Sequence, residues 1–192
     1  MKKINFSDKF GLTEAVLSGR KTQTRWIVKG DVPLGNWSET YEHAKYKVGE
    51  VVAVAQSYKN MGMDATALDR PPIYVSHIRC VLGDSAGWNN KMFVRADACK
   101  NQIRITNVRE ERLNEISDAD CIKEGVELNN RQFEYNGQKF YCVRGLGHWR
   151  GIGCDNFNTA REAYAALIDR ISGKGTWESN PYVFVYDFEL VK

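Results

Sequence analysis

The chain has 192 residues, a length that suits one domain able to bury roughly 70% of its unfolded surface, so its core needs neither disulfides nor a metal. With 43% hydrophobic, 27% charged and 11% aromatic residues, it falls outside the collagenous, coiled-coil and disordered classes. The net charge of +3 and pI near 8.5 permit a nucleic-acid partner without demanding one, since a domain-wide basic footprint usually shows a pI above about 9.

No apolar run approaches the roughly 18 residues of a membrane span, and the opening Met-Lys-Lys-Ile-Asn-Phe-Ser-Asp lacks the pattern of a signal peptide. The expectation is a cytoplasmic protein with no membrane partner. Cys80, Cys99, Cys121, Cys142 and Cys154 are odd in number and contain no C-x-x-C pair, which favours reduced, buried thiols. His43, His77 and His148 are too scattered for a zinc spacing. No metal or cofactor is expected.

In chain order, Leu12, Ala15 and Val16 share one face of a helix over 8–18, with Ser7 able to cap it and Gly19 able to supply a left-handed stop. Residues 20–28 read as a strand with Thr22, Thr24, Trp26 and Val28 on one side. Residues 29–47 read as a loop, and 48–58 as a glycine-led turn into a doubly covered strand. An irregular stretch over 59–72 is followed by strands over 73–81 and 102–108. In the second of these, Ile103 and Ile105 point inward while Arg104 and Thr106 point outward.

Ser117 can cap a two-turn helix, with Asp120 answering three residues later, Ile116 and Cys121 at staple positions, and Gly125 ending it. Asn136-Gly137 marks a hairpin turn, and 145–156 is a glycine-rich connection without a phosphate-loop signature. Thr159 and Glu162 form a capping box for a helix buried through Ala163, Tyr164, Leu167, Ile168 and Ile171, stopped by Gly173. After Asn180-Pro181, a strand runs from Tyr182 to Val191. Strands come in runs without regular βαβ alternation, which predicts an α+β fold: a curled mixed sheet or small barrel flanked by three helices.

Three groups of residues could carry chemistry. Glu124 ends a helix at the negative pole of its dipole, and reads either as a solvated glutamate or as a carboxyl poised for acid–base work. Lys21 with Thr22 and Thr24 follows a helix stop. The group reads either as a charged turn before ordinary strand residues or as an amine and hydroxyl pair, which can converge only if Lys21 lies in the turn. Arg20, Lys21, Arg25 and Lys29 with Trp26 suit phosphate contact and base stacking, or a plain solvated surface.

The segments Gly19-Arg20-Lys21-Thr22-Gln23-Thr24-Arg25, Tyr46 to Val54 and Ile103 to Val108 resemble the ASCH domain family. The stretches Arg112 to Gly125 and Gly175 to Val185 look like a subgroup common in phages and prophages. The resemblance implies one domain over 1–192, a PUA-like small β-barrel of mixed strands flanked by helices, with insertions near 29–45, 59–72 and 126–158. It also implies an RNA or modified-nucleoside partner. Some small members are amidohydrolases that deacylate N4-acetylcytidine, and Lys21, Thr24 and Glu124 occupy the positions matching their catalytic residues. In those enzymes an arginine falls two places after the second threonine, whereas here Arg25 follows Thr24 directly. A one-residue shift on a strand reverses the face.

Two functions follow as expectations. One is a metal-free amidohydrolase on N4-acylated cytidine, with Lys21, Thr24 and Glu124 lining one pocket. The other is a non-catalytic RNA-binding module. Arg20, Thr22, Arg25, Trp26, Trp177 and Asn180 are the expected ligand contacts, and in the binding module the arginines take phosphate while Trp26 or, by preference, Trp177 stacks on a base.

Overall fold

The structure is a computed structural model, described here for residues 1–61, 86–129, 139–147 and 155–191. The expected strand over 73–81, the Asn136-Gly137 turn and most of the glycine-rich connection lie outside those residues. The fold is α+β, with one mixed sheet in which the hydrogen-bonded strand order is β1 (Lys3–Ile4), β3 (Val51–Val54), β4 (Gln102–Arg112), β7 (Tyr182–Leu190) and β2 (Gln23–Ile27). No pairing of β1 with β2 closes it into a barrel among the described residues. The chain divides into two units: Met1–Phe6, Val51–Ile103 and Val191–Lys192 in the first, Ser7–Glu50 and Arg104–Leu190 in the second.

In the first unit, β1 (Lys3–Ile4) pairs in parallel with β3 (Val51–Val54), Lys3 opposite Ala53 and Ile4 opposite Val54. Val52 to Ala55 are wholly buried, as an apolar run covered on both faces should be. Ala53, Met61, Val94 and Cys99 form a small core there.

The second unit holds the remaining strands, β4 from Arg104 onward, and all the α-helices described. Helix α1 (Leu12–Leu17) begins four residues later than its periodicity predicts. Gly11 adopts a left-handed conformation at its start, and the Ser7 carbonyl, not its hydroxyl, accepts from Leu12 N. Gly19 then turns with φ 73°, and β2 (Gln23–Ile27) follows. The expected loop over 29–47 contains a further helix, α2 (Trp37–Glu42), because the Asn36 side chain caps Ser38 N.

Strand β4 (Gln102–Arg112) outruns its expected end by four residues. Its charged tail is tolerated because Arg109 and Glu111 find partners on β7 and β2. Helix α3 (Asp118–Lys123) has the expected Ser117 cap, with Ile116 and Cys121 fully buried. Asp120 does not complete a reciprocal box; its carboxylate serves Lys123 and Arg25 instead. Gly125 ends the helix at φ 106°, where a Cβ would lie 2.9 Å from Leu12 Cδ2.

Beyond a short antiparallel pair, β5 (Glu127–Leu128) and β6 (Tyr141–Cys142), helix α4 (Ala160–Ser172) opens on the Thr159–Glu162 capping box. Its face buries Ala163, Tyr164, Leu167 and Ile168, whereas Ile171 is exposed. A short helix not foreseen from the sequence, α5 (Thr176–Ser179), is held because the Asp169 carboxylate accepts from Gly175 N (3.1 Å) and Trp177 N (2.8 Å). Strand β7 (Tyr182–Leu190) runs antiparallel to β2, pairing Gln23 with Asp187, Thr24 with Tyr186, Arg25 with Val185 and Trp26 with Phe184.

Candidate active site

The site starts from the two-residue period of β2. Phe188 N donates to Thr22 O and Val28 N to Tyr182 O, so the even-numbered residues turn their backbone toward β7. The odd-numbered residues turn theirs to the free edge of the sheet. Lys21 lies just before the strand, where convergence with Thr24 requires it, its own N–H anchored on Ala15 O at 2.9 Å. From there the ammonium lies against that free edge, donating to Gln23 O at 2.7 Å.

Helix α3 delivers the opposing carboxylate. Thr22 N donates to Lys123 O at 3.0 Å, which fastens the end of α3 beside β2 and leaves Glu124 as the residue closing the helix. Lys21 Nζ donates to Glu124 Oε2 at 2.5 Å and to the Glu124 carbonyl at 2.8 Å. The two side chains are 2% and 5% exposed, so the pair is shielded from water.

Around this contact a polar network fills the face of the sheet that carries Gln23 and Arg25. Arg25 donates to Glu124 Oε1 at 3.0 Å, to Glu111 Oε1 from Nε (2.9 Å) and Nη2 (2.6 Å), and to Gln23 Oε1. The Gln23 amide donates to Asp187 Oδ1 at 2.5 Å. Arg109 bridges Asp187 (2.7 Å), Glu111 (3.3 Å) and Asp120 (3.5 Å), and Lys123 closes on Asp120 at 2.9 Å. Lys21, Arg25, Arg109 and Lys123 thus face Glu111, Asp120, Glu124 and Asp187, so the formal charges balance. Buried charges persist only when paired and hydrogen-bonded in this way.

The environment shifts protonation in specific directions. Burial lowers the Lys21 pKa, with the charge and hydrogen bond of Glu124 pulling back and Arg25 adding to the lowering. For Arg25, burial pushes down but Glu124, Tyr164 and Glu111 outweigh it, so its pKa rises. Burial works against the Asp120 carboxylate, yet the Lys123 ammonium and Arg25 hold its pKa below the usual range. Burial pushes the nearby Cys121 thiol up to about 12, which makes it an inert packing residue.

The expected site residues divide sharply. Lys21 and Glu124 meet. Thr24 is buried on the opposite face of β2, paired with Tyr186, and its hydroxyl makes no hydrogen bond among the described residues. Arg25 cannot serve as a phosphate ligand: its side chain is 0% exposed and its guanidinium is consumed by carboxylates. Arg20 is exposed and paired with Glu127, while Thr22 contributes backbone bonds to α3 and β7.

Trp26 is half-buried, edge-on to Tyr46 at 5.7 Å with Lys45 Nζ 4.2 Å above its ring. It lines a cavity of about 520 Å³ with Lys29, His43, Phe184 and Tyr186. Trp177 stands edge-on to Tyr164 at 6.3 Å, its backbone tied to Asp169, and borders a separate cleft of about 330 Å³ with Arg161. Asn180 adopts φ 44°, and its side chain accepts from Asn114 N at 2.9 Å, so it fixes the turn into β7.

Gln23, Arg109, Glu111, Asp120, Tyr164 and Asp187 were not foreseen at the site. The available signal was the period-two alternation, which places Gln23 and Arg25 on one face of β2, and Arg109 and Glu111 on one face of β4. Among the described residues, no group of three or more His, Cys, Asp or Glu is arranged to hold a metal, and no helix is long and apolar enough to cross a membrane. No family model matches the chain, and no curated protein or solved structure matches it.

Proposed function

We propose that this chain is an ASCH-type amidohydrolase of PUA-like ancestry that removes the acyl group from N4-acylated cytidine, as a nucleoside or within RNA. The observation that carries the reading is the buried contact of 2.5 Å between Lys21 Nζ and Glu124 Oε2, side chains 103 positions apart. These are the lysine and glutamate that the sequence resemblance pairs. A buried lysine and a carboxylate at hydrogen-bond distance can share one proton, so the pair can act as base and as proton donor.

The chemistry balances with water as nucleophile, since Thr24 stands on the opposite face of β2 from Glu124. With the shared proton on Glu124, the Lys21 amine takes a proton from water as the water oxygen bonds to the amide carbon. As the C–N bond breaks, the exocyclic nitrogen keeps the electron pair and takes the Glu124 proton. Lys21 then returns its added proton to the Glu124 carboxylate, the acid is released and every group is restored.

A second reading, a non-catalytic RNA-binding module, is favoured by a different observation. Both Glu124 oxygens are engaged, by Lys21 and Arg25, while the Trp26 cavity combines aromatic walls with Lys29 and Lys45. The deciding experiment is acetate release from N4-acetylcytidine without added metal. Wild type should turn over and Glu124→Gln should lower kcat by about 10²-fold or more, with folding checked by circular dichroism. Loss of activity on chelation would exclude the metal-free scheme, and salt-dependent RNA binding without turnover would establish the second reading.

A further inference from the structure

Tyr164 sits on α4 with 1% of its surface exposed, and its hydroxyl has no hydrogen-bond partner among the described residues. Buried polar side chains are rarely left so, because a buried hydroxyl that makes no hydrogen bond has lost its water without replacement. Packing does not explain the hydroxyl, since phenylalanine would fill the same space without that cost.

The location gives it meaning. The Arg25 guanidinium carbon lies 6.0 Å from the Tyr164 ring centroid, and α4 packs against α3, the helix that ends at Glu124. Burial, with the Glu124 charge adding to it, raises the phenol's pKa well above its ordinary value, so it remains a protonated donor. The other side chains of the cluster spend their donors on each other: Gln23 on Asp187, Arg25 on Glu111 and Glu124, Lys21 on Glu124.

We propose that the Tyr164 hydroxyl is a ligand-binding donor of the Lys21–Glu124 site, hydrogen-bonding the acyl oxygen of a bound N-acylated cytosine. The identity of that ligand rests on the amidohydrolase reading. In the tetrahedral state this oxygen gains negative charge, so a fixed donor strengthens its bond there without transferring its proton.

Tyr164→Phe tests the assignment in the full chain. The expected result is a Tm equal to or above wild type, because an unbonded buried hydroxyl has gone, with kcat on N4-acetylcytidine lowered about 10²-fold. Calorimetric affinity for the same compound should fall at least about tenfold, the loss of one ligand hydrogen bond. A Tm several degrees lower would show that the hydroxyl bonds within the protein and would overturn the proposal. Unchanged kcat and affinity in an active enzyme would overturn it while leaving the amidohydrolase reading intact. A wild type that binds without turnover, and binds less tightly as Tyr164→Phe, would support the contact and remove the hydrolase. No binding by wild type would remove both.

Discussion

Strand β2 has two sheltered faces that solve burial by different chemistry. On one, Gln23 and Arg25 join a network of ions reaching from Lys21 to Arg109. On the other, Thr24 and Trp26 meet an aromatic group in which Trp26, Tyr46 and Tyr186 contact edge-on at 5.7 and 5.4 Å. An aromatic face gains from volume and contact and degrades gradually when one ring is trimmed. An ionic face depends on every partner, because removing one charge strands another out of water. On the ionic face the state of one charged group sets that of its neighbours, because opposite charges lie within hydrogen-bond distance.

The sharpest break of this contrast is Glu124→Ala, which leaves Lys21 and Arg25 facing each other and should cost about 3–5 kcal/mol in urea unfolding. A loss below about 1 kcal/mol would mean that the network contributes no coupled stability. On the aromatic face, Trp26→Leu keeps apolar bulk but removes one edge-on ring contact and one cation over a ring, and should cost about 1–2.5 kcal/mol. A loss matching that of Glu124→Ala would erase the distinction.

A pH series sharpens the comparison further. Because the Lys21 pKa is lowered in the folded chain, the unfolded chain binds the extra proton between that lowered value and the ordinary 10.5. The stability contributed by Lys21 therefore rises with pH across this window. The Tm difference between wild type and Lys21→Met should shift in favour of wild type as the pH is raised from 7 toward 10, and a constant difference would contradict the assigned shift. The smallest effect belongs outside both faces. Arg20→Ala breaks an exposed pair with Glu127, 40% exposed on each side, and should change stability by less than about 1 kcal/mol.

Legibility from sequence followed the range of the interaction. The Ser117 cap, the Thr159–Glu162 box, the glycine stops at 19, 125 and 173 and the alternation of β4 were all readable, because each depends on residues within four positions of one another. Short elements escaped. Helix α2 has a single capping asparagine and one buried residue, too little for periodicity to register, and α5 depends on Asp169 from the preceding helix. At the site, Lys21 and Glu124 were singled out by motif, but Arg25 was assigned to phosphate because its carboxylate partners lie 86 and 99 positions away.

The sequence by itself determined the capped starts of α3 and α4, the glycine stops of α1, α3 and α4, which strand residues share a face, and that the chain is α+β, since these follow from backbone sterics and local hydrogen bonding. Only the tertiary structure decided which charges are buried and with whom. That choice depends on bringing the edge of β2, the end of α3 and the end of β4 within a few ångströms. Coulomb attraction and desolvation act through space at that range, with no periodic trace along the chain.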